Sequence, residues 1–162
     1  MRKLVTVLGT VLVASTFAAA TSIALDHGGP TFVARLSGAN EVPPVETHSA
    51  GQMQIRFDRD RTEGRFRLNV TNGRRVTQAH IHCGPEGQNG PVVLFLAGFH
   101  DRGWDVNGRF VEATLTNDNI VNTACGETLA DIVESMRAGN TYVNVHTVAN
   151  PSGEVRGQLR RR

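Results

Sequence analysis

The sequence predicts an all-β domain: an antiparallel β-sandwich or Greek-key barrel with one short helix. Three observations carry that expectation. Short runs of alternating apolar and polar residues recur along the chain, and period 2 is the signature of a half-buried strand. Glycine-, proline- and asparagine-rich turns separate these runs at regular intervals, as in sandwiches and barrels. Only one segment, Thr128–Ala138, has helical spacing. At 162 residues the chain suits about one domain. Its 40% hydrophobic and 20% charged residues are those of a folded protein, not a disordered one. The 17 glycines follow no G-X-Y period, and no 20–50-residue repeat is present, which excludes collagen, solenoids and propellers.

The elements follow in order. Phe32, Ala34 and Leu36 alternate with polar neighbours until Val42-Pro43-Pro44-Val45, where two prolines cannot serve a central ladder. Met53, Ile55 and Phe57 form a second strand, and Phe66, Leu68 and Val70 a third, with a polar hairpin loop at Asp58–Gly64 between them. Asn72-Gly73 has the strongest two-residue hairpin signal and predicts a turn before a strand at Val76–His82. After the glycine- and proline-rich loop Cys83–Pro91, the unbroken apolar run Val92–Leu96 predicts a strand buried on both faces. Gly98–Gly108 reads as a polar loop holding Trp104, and alternation resumes over Arg109–Thr116. In the helical segment Leu129, Ile132, Val133 and Met136 fall at i, i+3, i+4 and i+7, with Thr128 as N-cap and Gly139 as the stop. Thr141–Thr147 and Glu154–Leu159 are the last strands, joined by the turn Asn150-Pro151-Ser152-Gly153.

Residues 1–20 read as a signal peptide. Arg2 and Lys3 are a basic n-region, Leu4–Ala14 an apolar h-region, and Ala18-Ala19-Ala20 an A-x-A cleavage site, with Ser22-Ile23-Ala24 as a second option ending at residue 24. The alternative is an uncleaved anchor over Leu4–Leu25. Residues 21–30 form a linker, 31–160 the β domain, and cleavage leaves no membrane span. The expected location is secreted or periplasmic. Cleavage also removes the chain's one lysine and leaves 15 arginines against 15 acidic residues. A neutral chain does not point to nucleic acid.

In an oxidising compartment Cys83 and Cys125 read first as a disulfide, closing a loop of about 42 residues worth roughly 4 kcal/mol. The rival reading makes Cys83 a metal thiolate beside His82. The histidines carry the sharpest chemistry. His80 and His82 lie one residue apart on a predicted strand and so share a face, with Ala79 and Ile81 turned to the core. In a second predicted strand Tyr142, Asn144 and His146 share a face, with Val143 and Val145 on the other. If the two strands are neighbours, three imidazoles meet, a set that suits Cu(II) first and Zn(II) second. The competing reading is that H-x-H is a pair of exposed strand histidines making hydrogen bonds, without metal. No fourth ligand is identifiable; His48 and His100 read as surface loop residues and His27 as part of the linker.

Four ordered motifs, Asn40–Val45 (NEVPPV), Ala79–Val93 (AHIHCGPEGQNGPVV), Tyr142–Thr147 (YVNVHT) and Pro151–Leu159 (PSGEVRGQL), together resemble the CHRD domain, a module named for its repeats in chordin. The likeness runs from about Phe32 to Leu159 and is to the bacterial-type, single-domain secreted members. It implies an extracellular β-rich domain and no established activity; chordin itself binds growth factors. A more distant likeness links His80, His82 and His146 to the copper ligands of Cu,Zn superoxide dismutase, so an immunoglobulin-like or superoxide-dismutase-like sandwich is implied. That analogy would place Arg156 as a substrate-guiding cation. The zinc-loop histidines and a bridging histidine have no counterpart here, and fold analogy does not establish function.

Other constellations are weaker. Cys83–Pro91 lacks the Gly-Lys-Ser/Thr ending of a phosphate loop, and there is no H-E-x-x-H helix or G-x-S-x-G elbow. Glu41, Glu46, Glu127 and Glu154 show no informative spacing, so no catalytic residue is named. Arg56, Arg65 and Arg67 should share the outer face of a hairpin. Such a ladder suits polyanionic polysaccharide or nucleic acid, but a solvated face with cross-strand charge pairs is the favoured reading, and no aromatic interleaves there for base stacking. Three functions therefore stand: a copper-binding extracytoplasmic domain; an interaction module for a protein or polysaccharide partner, its histidines only bracing strand ends; and, last, a dismutase-type redox enzyme.

Overall fold

A computed structural model describes residues 28–162. The signal peptide and most of the linker lie outside the described residues. Eight strands pair antiparallel: β1 (Thr31–Ser37), β2 (Ala50–Phe57), β3 (Gly64–Cys83), β4 (Val92–Ala97), β5 (Trp104–Leu115), β6 (Thr141–Thr147), β7 (Val155–Gln158) and β8 (Arg160–Arg161), with one helix, α1 (Leu129–Arg137). β1 pairs with β2, β2 with the first half of β3, the second half of β3 with β6, β6 with β7, and β7 returns to β1 at Ser37↔Arg156. Those five strands close a barrel. Closure leaves few unpaired edges, the usual liability of a small antiparallel sheet. β4 and β5 add to β3 outside the ring, and β8 pairs with Phe32 and Val33 of β1.

Alternation places the core as expected. Phe32, Ala34, Leu36, Met53, Ile55, Phe57, Phe66, Leu68 and Val70 all point inward and are buried. The helix forms where its spacing predicts. Thr128 caps it in a reciprocal capping box with Asp131, and Gly139 ends it at φ 75°, a conformation glycine adopts without penalty. Leu129, Ile132, Val133 and Met136 are buried in the same core, each worth about 1.5–3 kcal/mol of burial. The Cys83–Cys125 disulfide ties the end of β3 to the segment leading into α1. Cys83 is therefore no metal thiolate.

Three local expectations are corrected. Asn72-Gly73 is not a hairpin: β3 runs through it as one strand of 20 residues. Asn72 (φ 54°) and Arg75 (φ 50°) take left-handed conformations, and the pairing register shifts between Val70 and Gly73 and again between Gly73 and Val76. A Cβ at position 73 would lie 2.8 Å from Val70 and 2.9 Å from Val76, so the close approach needs glycine. The irregularity passes the strand from partners β2 and β5 to partners β6 and β4, the work of a bulge rather than a turn. Second, β4 is not buried on both faces. It pairs with β3 alone among the named strands, so Phe95 stays 43% exposed while Val93 and Leu94 are buried. Third, Trp104 opens β5 opposite Val76 instead of sitting in a loop.

Candidate metal centre

The β3–β6 register assembles the site. Gln78 lies opposite His146, His80 opposite Asn144, and His82 opposite Tyr142. Ala79, Ile81, Val143 and Val145 fill the barrel core on one face of this pair. On the other face His80, His82 and His146 converge, and their ligand atoms all lie within 4.8 Å of one another. Neighbouring ring centroids are 4.9 Å apart for His80–His146 and 5.7 Å for His80–His82. Both strands are needed: the i, i+2 spacing supplies two rings, and the pairing of β3 with β6 brings the third.

All three rings are buried, although they lie on the side of the strands away from the core. The Phe95 ring packs edge-on against His80 at 4.4 Å. Tyr142 stacks on His82, centroids 4.8 Å apart and planes 13° off parallel. The loop Cys83–Pro91 and the turn around Pro151 close over the rest. His82 Nδ1–H donates to the Gly90 carbonyl (2.9 Å), and His146 Nδ1–H donates to the Pro151 carbonyl (3.0 Å). These bonds select the tautomer, so Nε2 of both rings carries a lone pair. His80 Nδ1 lies 3.1 Å from His146 Nε2, which makes His80 the donor there. The Nε2 atoms of His80 and His82 are buried without a hydrogen-bond partner.

Burial also decides the charge state. It depresses His80 to about 3, helped by repulsion from His146 and His82. It depresses His146 to about 4, against the opposing pull of the Pro151 hydrogen bond. His82 is lowered mainly by burial and further by Arg156, while its bond to Gly90 acts the other way. Three neutral imidazoles are thus presented at neutral pH, the form a metal needs. Three nitrogens at 2.0–2.1 Å from one ion lie about 3.3–3.6 Å apart at tetrahedral or trigonal angles, so the widest pair would have to close by up to about 1.4 Å. Among the described residues no other histidine, cysteine or carboxylate joins the group. His100 packs on Trp104 at 4.4 Å, the His48 carbonyl accepts from Asn72, and His27 lies outside the described residues.

Arg156 does not act as a guide for an incoming ligand. It is 2% exposed, and its guanidinium lies 3.4 Å over the outer face of the Tyr142 ring. Its N–H groups donate to the Asn89 side chain and to the carbonyls of Pro85 and Gln88. The order guanidinium, phenol, imidazole is one stack, and Arg156 braces the loop whose Gly90 carbonyl orients His82. Glu41, Asn144 and Glu154 form a second layer that sequence spacing did not reveal. Asn144 Nδ2 donates to Glu41 Oε2 (3.2 Å), and burial raises Glu41 to about 7 against the pull of Asn144 and Arg156. Burial pushes Glu154 upward too, but hydrogen bonds from Thr47, Asn150, Thr147 and Ser49 outweigh it and hold that carboxylate low. The one sequence signal for this layer was Asn144 on the Tyr142/His146 face.

Fold and site together define a disulfide-braced antiparallel β-barrel domain with a buried three-histidine cluster on its outer layer. The family model of the CHRD domain matches residues 32–159, and the chain belongs to that family. No curated protein and no solved structure matches it. Among the described residues no helix is long and apolar enough to cross a membrane.

Proposed function

We propose that this chain is a secreted metal-binding CHRD domain that holds copper through His80, His82 and His146, with zinc the second choice. One observation carries the reading: three neutral imidazoles converge in a buried setting, His82 and His146 oriented by backbone carbonyls, and the Nε2 atoms of His80 and His82 left without a partner. A nitrogen-only set ranks Cu(II) above Zn(II) in affinity. Bound copper supplies a Lewis-acidic, one-electron centre. The chain supplies the donors, fixes their orientation through Gly90 and Pro151, and excludes water with Phe95 and Tyr142. Residues 1–20 act as the signal peptide in this reading, with cleavage after Ala20 or Ala24, residues 21–30 as a linker and 31–160 as the domain. Export to the periplasm or beyond agrees with the disulfide.

Protein refolded with Cu(II) and dialysed should retain one equivalent, with nitrogen hyperfine structure in its EPR spectrum. The double variant His80→Ala/His82→Ala should retain none while keeping the β-sheet circular dichroism of the parent. Retention of the same copper by that variant would defeat the assignment. A second reading, an interaction module without metal, is favoured by the direct His80–His146 hydrogen bond, which gives each ring a partner in the metal-free protein. It predicts no stoichiometric metal from either preparation.

A further inference from the structure

The outer face of β1, β2, β3 and β5 lies away from the histidines and has its own pattern. Three aligned rows cross it: Thr31·Arg56·Arg65·Thr114, Val33·Gln54·Arg67·Glu112 and Arg35·Gln52·Asn69·Arg109. Alternation predicted Arg56, Arg65 and Arg67 on one face; the sheet adds Arg35 from β1 and Arg109 from β5. Five arginines therefore share this surface with a single acid. Glu112 is the expected cross-strand partner, and it serves Arg65, Arg67 and Arg109 at 3.2–3.7 Å. Its carboxyl is held low chiefly by the Arg67 hydrogen bond, so it is ionised and fully committed. Arg35 and Arg56 have no acidic partner among the described residues. Arg56 also stands directly across from Arg65, and like charges placed opposite one another destabilise a sheet. Charge pairing alone does not account for such a surface.

We propose that this four-stranded face binds an acidic polysaccharide. The spacing is about 4.8 Å between strands and about 7 Å between same-face positions along a strand, so the rows form a convex grid on the outside of the barrel wall, roughly 14 Å on a side measured over the surface. Guanidinium groups pair with carboxylate or sulfate through two parallel hydrogen bonds. Between them Gln52, Gln54, Asn69, Thr31 and Thr114 offer amides and hydroxyls, which suits a polymer that alternates anionic groups with sugar hydroxyls. Nucleic acid is disfavoured because none of the grid positions is aromatic, and base stacking needs a ring. A membrane surface is disfavoured because Val33 is the one apolar side chain on the grid, which leaves nothing to insert.

The test uses the full chain freed of its leader, with heparin oligosaccharide and polygalacturonate as probes and neutral dextran and single-stranded DNA as comparisons, by calorimetry at 0.15 M salt. Both acidic polysaccharides should bind, more weakly as salt rises, and dextran should not. Arg56→Ser/Arg65→Ser/Arg67→Ser should weaken binding at least tenfold. The control Arg102→Ser/Arg137→Ser, which removes charge elsewhere, should stay within twofold of the parent. Circular dichroism and the urea unfolding midpoint report whether each variant is folded. Should the triple variant fail to fold, Arg35→Ser and Arg109→Ser, singly, test the same face at its two edges and should each weaken binding at least twofold. Absence of binding at 0.15 M salt, equal loss in the control, or DNA binding as tight as polysaccharide would overturn the proposal. None of these outcomes depends on whether His80, His82 and His146 hold a metal.

Discussion

Acidification of the metal-free protein should reveal two buried titrations working against each other. His80 and His146 are depressed to about 3 and about 4, so below their ordinary value of 6.5 the unfolded chain takes up protons that the native state refuses. Stability from these rings is therefore complete above pH 6.5 and lost as pH falls. At pH 4.5 each ring is two units below its ordinary value, about 2.7 kcal/mol. Because the two ring nitrogens lie 3.1 Å apart the rings titrate as a pair below pH 4.5, and at pH 4.5, above both native values, the combined loss should be about 5 kcal/mol. Glu41 has the opposite sign. It is raised to about 7, so its native state binds the proton first, and stability is gained as pH falls from about 7 to 4.5, by about 3 kcal/mol. In the parent protein Glu41 offsets roughly half of the histidine loss. In Glu41→Gln the histidine term stands alone, and the urea midpoint should drop by about 2 M between pH 7 and 4.5. Adding His80→Gln to that background should remove about half of the drop. The measurement is urea unfolding by fluorescence or circular dichroism with a chelator present, over pH 4.5–7; ordinary glutamates titrate at the acid end of that range, so the His80→Gln double variant serves as the reference. A Glu41→Gln midpoint that does not move with pH would show that the rings are not held neutral by burial.

Four further outcomes follow from the same geometry. Tyr142→Phe loses the hydroxyl that accepts from Gly90 N–H (3.1 Å) and should cost about 1 kcal/mol in denaturant unfolding, leaving the stack on His82 in place. Cys83→Ser/Cys125→Ser removes the 42-residue cross-link and should cost about 4 kcal/mol in the same assay. Gly153→Ala should cost about 1–3 kcal/mol, since position 153 has φ 143° and a Cβ there meets Asn144 and Glu41 at 2.7 Å. Arg156→Met should free the Pro85 and Gln88 carbonyls and speed hydrogen exchange across residues 84–90, while exchange in β1 and β2 stays as in the parent.

Local pattern was enough for much of this protein. Alternation marked the strands and their inward faces, Thr128 and Gly139 bounded the helix, two cysteines implied a bond, and H-x-H put two imidazoles on one side of a strand. Those readings rest on periods of 2 and 3.6 residues and on capping chemistry, which a short window contains in full. Nothing local could show that β3 passes straight through Asn72-Gly73. The same dipeptide serves a hairpin or a bulge, and the choice depends on which distant strands lie ready to pair with each half.

The assembly of the sites was decided at that same level. His146 reaches His80 because β6, more than sixty residues further along the chain, pairs with β3 in one register; a slip of one residue would turn His146 to the opposite face. Arg156 looked free to guide a ligand until tertiary packing laid it over Tyr142, and Arg35 and Arg109 joined the arginine surface only through the alignment of four strands. Sequence by itself determined which residue types face which way along each strand. Strand neighbours and register are non-local, set by the packing of a closed barrel, and they alone decided which of those faces meet.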